Sequence, residues 1–570
     1  MNKRIVHLSI SLVLAFMMIL SLAGCGSAQQ SSSAASSTVS TSVEASSESA
    51  EAQKNYDPFG KSDTPVTVTA ILNYSPAGDP TTLQGVTPET QSFVKLAKDK
   101  LNIDIKYLWQ APSDQYDTRF SVALSSNDLP DVMSVKSQQY EILRQNDQLA
   151  DLTDAYNYLS PMMKSFVERD PNAISLGKSD GKLYGIPQYW DPRRDVQEMF
   201  IRKDWLDELG LSVPKTMDEL KNVAKAFVDK KKAVGGFAMC KVFDGWGFDI
   251  KTYMYPFNSY PKKWIVGSDG SIVAGETQPE TKVALQYLSE FYKDGIIDKE
   301  FATKNEDKMA EELTSGKLGI AIGTWWMYEW PLNNSKDKDP KANWVVSDLP
   351  SFDGAPVKTL INRFTIDGTN SFKVINKNCK NPEAVIKLFN LYIDICNDIP
   401  KYGDAALPKG GFVWSWCPTQ YNDPYDINSA FEHVNAAIDA NDQGANLNSS
   451  DKVLYDKYVK YKDYLAGNTP WDGSQMGNAM ARIAKDGGWG LTRDIVEKNT
   501  KVYNEFFGTL TPSMIDKGAT LDKLTEETFI KIIMGAAPVT EFDNYLSQWK
   551  QLGGDAITKE VNDWYTKNKQ

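Results

Sequence analysis

The residues that could do chemistry are few in kind. There are 2 histidines. His7 lies in the first apolar stretch, which leaves His433 alone. A multi-histidine zinc site is therefore excluded, and a Ser-His-Asp triad has little to build on. The cysteines beyond Cys25 are Cys240, Cys379, Cys396 and Cys417. No two form a C-x-x-C pair, so no metal cluster is expected. They read as free, mostly buried thiols, with two disulfides as the alternative. Tryptophan is abundant, at 15 residues. Large rings cover the apolar C–H faces of sugars, while Asp, Asn, Arg and Gln pair with hydroxyls. Several aromatics have the glycine and polar neighbours of exposed loops. They are Tyr189 and Trp190 after Gly185-Ile186-Pro187, Trp246 in Asp244-Gly245-Trp246-Gly247-Phe248, Trp325 and Trp326 after Gly323-Thr324, and Trp414 and Trp416 around Ser415. The competing reading is a core indole. It is the stronger one for Trp205, Trp549 and Trp564, which fall in helical stretches. The polar candidates are Arg194, Asp195, Asp244 and Arg363. A solvated loop ion pair, worth little, is the alternative for these.

Cys25 stands apart. Lys3 and Arg4 precede an apolar stretch from Ile5 to Leu20, and Leu22-Ala23-Gly24-Cys25 follows. That is a basic start, an apolar core and a small-residue cleavage site. The segment resembles the lipobox of bacterial lipoproteins. The resemblance implies diacylglycerol transfer to the Cys25 sulfur, its acyl chains palmitate-type, and cleavage before it, making 1–24 a signal peptide. The mature chain would then hang from the outer face of the cytoplasmic membrane. A plain secretory signal is the alternative. An uncleaved span fits less well, because the run is short of the ~20 apolar residues a bilayer needs.

The elements that must position these residues follow. Gly26 to Gln53 is rich in Ser, Ala, Thr, Gln and Glu and lacks aromatics, so 25–60 reads as a disordered tether. The folded body begins near Pro65. Val66 to Leu72 alternates as a strand. A helix from about Pro88 carries Phe93, Leu96, Ala97 and Leu101 on one face, and Ile103 to Leu108 reads as the next strand. Strand, helix, strand points to a βαβ unit and a parallel sheet. Strands at 131–135 and 318–322 and helices around Trp205 and over 281–293 extend the α/β pattern. After about Pro382 the chain reads mainly helical. The net charge of −12 and the lack of a basic block argue against nucleic acid or an anionic lipid surface as partner.

Gly181-Lys182-Leu183-Tyr184-Gly185-Ile186-Pro187 leads into Phe200-Ile201-Arg202-Lys203-Asp204-Trp205-Leu206-Asp207-Glu208-Leu209-Gly210-Leu211. Pro214, Thr216 and Asp218-Glu219-Leu220 come next. The local reading is a strand, a helix closed by Gly210, and a second helix opened by Thr216 with Glu219 three residues on, as in a capping box. These segments resemble the family 1 extracellular solute-binding proteins of ABC importers, in particular the large oligosaccharide-binding lipoproteins of Gram-positive bacteria. Gly323-Thr324-Trp325-Trp326, Asn381-Pro382-Glu383-Ala384 and the tail from Phe529 to Tyr565 carry the resemblance further.

The resemblance implies an α/β, two-lobed periplasmic-binding-protein-like fold (type II), with a hinge between the lobes and ligand in the cleft. On this reading 65–197 is the first part of lobe 1, 198–352 the first part of lobe 2 and 353–410 the return to lobe 1. Residues 411–570 form a mainly helical part, mostly of lobe 2. Crossings fall just before Phe200, near Pro350 to Pro356 and near residue 410. The implied partners are an oligosaccharide and ABC permease subunits, with the membrane reached through Cys25. The protein would be a monomer, with no catalytic residues and no cofactor. Many relatives carry an Asp/Asn-rich calcium loop after the Thr-x-Asp-Glu-Leu helix. Here Lys230-Lys231-Lys232 stands there instead, so no metal is expected. Two alternatives remain open: a lipoprotein presenting ligand to a membrane sensor, and a secreted glycoside hydrolase, which needs a suitably spaced carboxylate pair.

Overall fold

The computed structural model describes residues 55–73, 85–363, 365–366, 372–407 and 410–568. Cys25, the signal segment and most of the expected tether lie outside the described residues. The strands Val66–Asn73 and Ile103–Ala111 pair in parallel along their length. A parallel pair needs a crossover that covers the sheet. Here it is the helix Ser92–Leu96, which widens into the π-turn Ala97–Leu101 and stops at Asn102 with φ 58°. Phe93, Ala97 and Leu101 are buried against the sheet, and Leu96 packs at its margin. Val132–Val135 adds a third parallel strand. Phe372–Ile375 then joins antiparallel to it, and Ile186–Pro187 closes the edge.

The helix Pro382–Asn397 is apolar on nearly every side and sits inside this lobe's core. Its one buried amide works hard. Asn390 donates to the carbonyls of Pro58 (2.9 Å) and Tyr158 (2.7 Å) and accepts the Ser160 N–H at 2.8 Å. These bonds pin the start of the body, which begins at Tyr56, before the expected Pro65.

A second sheet has the order Ile320–Gly323, Glu198–Arg202, Trp344–Ser347, all antiparallel. Strand alternation divides its side chains between two cores. Met199, Ile201, Ile320 and Ile322 face a core built with the helices Met217–Lys231, Pro279–Lys293 and Pro512–Ile533. Phe200 and Ala321 face the other, with Trp325, Trp489 and the helix Asp426–Ala440. The helix Lys203–Leu209 ends at Gly210, whose φ of 66° only glycine adopts cheaply. Thr216 caps the next helix by accepting the Glu219 N–H at 3.2 Å. The reciprocal arm of the expected capping box lands one residue early: Glu219 accepts from Lys215 N–H, at 2.7 Å.

Between the two sheets run the connecting segments. Tyr189–Trp190 pairs antiparallel with Thr365–Ile366. Thr359–Asn362 pairs in parallel with Lys501–Asn504 instead of rejoining the first sheet, so the return there is made by Phe372–Ile375. Cys240, Cys379, Cys396 and Cys417 are free thiols. Burial pushes the Cys240 thiol up to about 12, which leaves it inert as a nucleophile.

Candidate functional site

The connecting segments and the loops 244–263 and 324–326, beside the second sheet, line a cavity of about 810 Å³. Trp190, Arg194, Asp195, Asp244, Trp246, Trp325 and Trp326 all line it. The turn Pro192–Asp195 decides which arginine enters. Asp191 accepts the Arg193 N–H at 3.0 Å and its Nε at 2.9 Å, and the Arg193 guanidinium lies 5.5 Å from the Trp489 ring centroid. Arg194 is thereby turned the other way. Its guanidinium sits 4.2 Å from the Trp190 centroid and 5.7 Å from that of Trp325. Burial pulls its pKa below the usual range, and Asp426, 3.6 Å from Nη1, offsets this in part.

Three buried polar atoms on this wall have no hydrogen-bond partner: Arg194 Nη1, Thr324 Oγ1 and Trp325 Nε1. Buried polar atoms are ordinarily paired, because an orphan costs about 1–3 kcal/mol. Their residues line the cavity, but the atoms themselves have almost no accessible surface, and Arg194 Nη1 has the Asp426 carboxylate 3.6 Å away.

Sequence reasoning missed the amide relay that reaches Asp195. The parallel pairing sets Asn362 beside Asn504. Asn504 Nδ2 donates to Asn362 Oδ1 at 3.1 Å, and Asn362 Nδ2 donates to Asp195. Trp264 N–H fixes Asn504 Oδ1 at 2.9 Å. Lys263 reaches Asn362 Oδ1 at 3.4 Å, and burial lowers its pKa. Further along, Lys251 bridges Asp244 and Asp249. Burial raises the Asp249 carboxyl above its ordinary range despite Lys251. For Asp244 burial acts in the same direction, but Lys251 and the nearby Lys263 and Lys262 outweigh it and hold the carboxyl below its ordinary range. Arg194, Lys251 and Lys263 thus face Asp195, Asp244 and Asp249. The wall is mixed in sign and suits a hydroxyl-rich ligand.

The aromatic wall is graded. Trp325 is buried, edge-on to Trp489 at 5.8 Å and 5.0 Å from the Arg482 guanidinium. Trp326 is half-buried and tilted against Trp246, which is 42% exposed. Such an indole offers a ring face to a ligand at little structural cost.

Four expected site residues lie elsewhere. Tyr189 is 1% exposed. Its hydroxyl donates to the Phe166 carbonyl at 2.9 Å and accepts the Asp170 N–H at 2.9 Å. It shares a strand with Trp190, and adjacent strand residues face opposite ways, so the two cannot both line the cavity. Trp416 packs on Leu72 and Val413, while its carbonyl accepts from Gln91 and Tyr107. Trp414 is exposed but does not reach the cavity wall. Arg363 is neutralised by Glu505 at 2.8 and 2.9 Å and stacks on Tyr503, again off the wall. A second cavity, of about 320 Å³, lies at the carboxyl ends of the first sheet's parallel strands, beside Asn73, Ser134 and Lys136. Among the described residues no cluster of three or more His, Cys, Asp or Glu could hold a metal ion. No described helix is long and apolar enough to cross a membrane.

Comparison with known proteins adds the following. Residues 84–394 match the family model described as bacterial extracellular solute-binding protein. Lipoprotein LipO of Bacillus subtilis (strain 168) is 21% identical over 486 residues, 82% of this chain and 87% of that protein. The polygalacturonan/rhamnogalacturonan-binding protein YtcQ of the same organism is 22% identical over 492 residues, 85% of this chain and 89% of its own. Among solved structures, the S. pneumoniae ABC-transporter substrate-binding protein FusA in complex with kestose superposes with a TM-score of 0.61. It is 18% identical and covers 88% of this chain and 100% of that one. These solved neighbours are two-lobed, and the chain shares their α/β fold.

Proposed function

The chain belongs to the bacterial extracellular solute-binding proteins, and we propose that it captures an oligosaccharide in the cavity beside Trp246 and delivers it to an ABC permease. One observation carries this reading. Two accessible indoles, Trp246 and Trp326, and charged groups of both signs converge on a single cavity of about 810 Å³. Sugars are the ligands that present both a dense set of hydroxyls and an apolar ring face. YtcQ and FusA, named for polysaccharide binding and solved with kestose, support the same class.

Delivery works by closure. The cavity draws residues from the connecting segments as well as from loops outside the second sheet's strands, so a ligand that touches both favours the arrangement in which they are closest. Closure is then a population shift, driven only by better binding to the closed form. Catalysis is not part of this reading. Lys251 holds Asp244 and Asp249, and Asn362 holds Asp195, so the lining carboxylates are structural. A lipid on Cys25 keeps the loaded receptor near its permease, and the lipoprotein relative LipO supports that anchor.

The test is a thermal-shift and calorimetric screen with fructo-oligosaccharides, oligogalacturonides and alginate oligomers. Ligand at a hundredfold its Kd adds about 2.7 kcal/mol of stability. A clear shift with one series, lost in Arg194→Ala, is the expected result. Stabilisation by peptides alone, or steady release of reducing ends from any sugar, overturns it. Cys25→Ala should move the protein from the membrane fraction to the medium.

A further inference from the structure

Trp246 does not end the aromatic wall. Its ring lies 5.8 Å from that of Trp326 and 5.1 Å from that of Trp330, tilted at 43° and 46°. Trp326 and Trp246 line the cavity, whereas Trp330 lies outside its wall. The three indoles therefore form a ladder that runs from the cavity to the surface. Trp246 is 42% exposed and Trp330 40%. Clustered, exposed indoles are uncommon on a soluble protein and mark a contact surface.

The ladder is held in place from beneath. Phe248 is fully buried in the second lobe's core and meets Trp246 edge-on at 5.6 Å. Glu306 accepts the Trp246 N–H at 3.2 Å, and Asp249 accepts the Gly245 N–H at 2.9 Å. Glycine at 245 leaves room for the first bond, since a Cβ there would push the Glu306 carboxylate aside. Trp330 is tied back by its own N–H to the Trp326 carbonyl at 3.3 Å. The backbone that carries the rings is thus held before anything binds, which spares part of the ordering cost of a contact.

Resting on the saccharide reading of the cavity, we infer that Trp330 is an outer subsite that stacks on sugar units beyond those inside the cavity. A ligand whose leading units fill the cavity would leave across Trp246 and meet Trp330 with its trailing units. Affinity should then grow with chain length past the point where the cavity is full, and Trp330 should supply that growth.

The experiment measures calorimetric affinity for fructo-oligosaccharides and oligogalacturonides, from dimer to octamer, with wild type, Trp330→Ala, Trp330→Phe and Trp246→Ala. For the series that binds, Trp330→Ala should match wild type on the shortest binder and fall about tenfold behind on the longest. Trp330→Phe should recover most of that loss, and Trp246→Ala should weaken every length. An equal loss in Trp330→Ala at all lengths would show a ring that merely props Trp246 and would overturn the inference. So would no loss at any length. Alginate oligomers are titrated alongside, and if none of the three series binds wild type, the saccharide reading itself falls and takes this subsite with it. Unchanged melting of Trp330→Ala confirms that the comparison is between folded proteins.

Discussion

Replacing Glu198 by Gln should make the protein more resistant to rising pH. Glu198 opens the central strand of the second sheet and is fully buried. Its Oε1 accepts the Thr492 hydroxyl at 2.6 Å, while Oε2 has no partner. Burial pushes its carboxyl well above the ordinary range, and nearby Asp348 adds to the effect. The folded protein therefore keeps a proton that the unfolded chain, with a carboxyl near the usual ~4.3, gives up. Stability from this group is fully present below the unfolded value. It is lost as pH rises toward the folded value, at one proton's slope, about 1.4 kcal/mol per pH unit. Gln copies the protonated acid in shape and keeps an acceptor for Thr492, so it lacks that slope. Urea denaturation of both proteins in steps from pH 4.5 to 8 measures the difference. The two should agree within about 0.5 kcal/mol at the acid end. Glu198→Gln should then gain by about 1.4 kcal/mol per pH unit until the folded group titrates. Parallel curves, or a wild type that gains relative to the variant as pH rises, would mean that Glu198 is ionised in the fold and would refute the reasoning.

Three other outcomes follow from the site and its frame. Trp246→Ala should weaken saccharide binding at least tenfold with little change in melting, whereas Trp325→Ala, which empties a buried position, should also cost about 3–5 kcal/mol of stability by denaturation. Arg194→Lys should not rescue Arg194→Ala in calorimetry, because an ammonium cannot lie flat between Trp190 and Trp325. Asn390→Leu should lower stability by at least about 2 kcal/mol in urea, since the carbonyls of Pro58 and Tyr158 and the N–H of Ser160 all lose their partner.

Local pattern made much of the fold legible. The βαβ start, the Gly210 stop and the Thr216 cap depend on residues within a few positions of each other, where propensity and capping decide. The site was legible where one short segment carries both the ring and the loop that exposes it, as at Trp246 and Trp326. It was not legible where partners are distant in sequence. Asn362 and Asn504 meet only because Thr359–Asn362 pairs in parallel with Lys501–Asn504, and Arg363 is taken out of play by Glu505 through the same long-range pairing. Two readings could have been sharpened from the residues alone. Strand alternation allows only one of Tyr189 and Trp190 to face the cavity, and the Asp191-Pro192-Arg193 turn predicts that Arg193 is captured and Arg194 left to point inward. Trp330 escaped notice because its value lies in the row it forms with Trp246 and Trp326, which only the folded chain assembles.

The most direct measurement is a calorimetric titration of wild type and the Arg194→Ala/Trp246→Ala double variant with the saccharide that gives the largest thermal shift. One-to-one binding by wild type, lost in a double variant that still melts cooperatively, is the expected result. Equal affinity in the two proteins would show that the sugar binds elsewhere and would contradict the assignment of this cavity as the capture site.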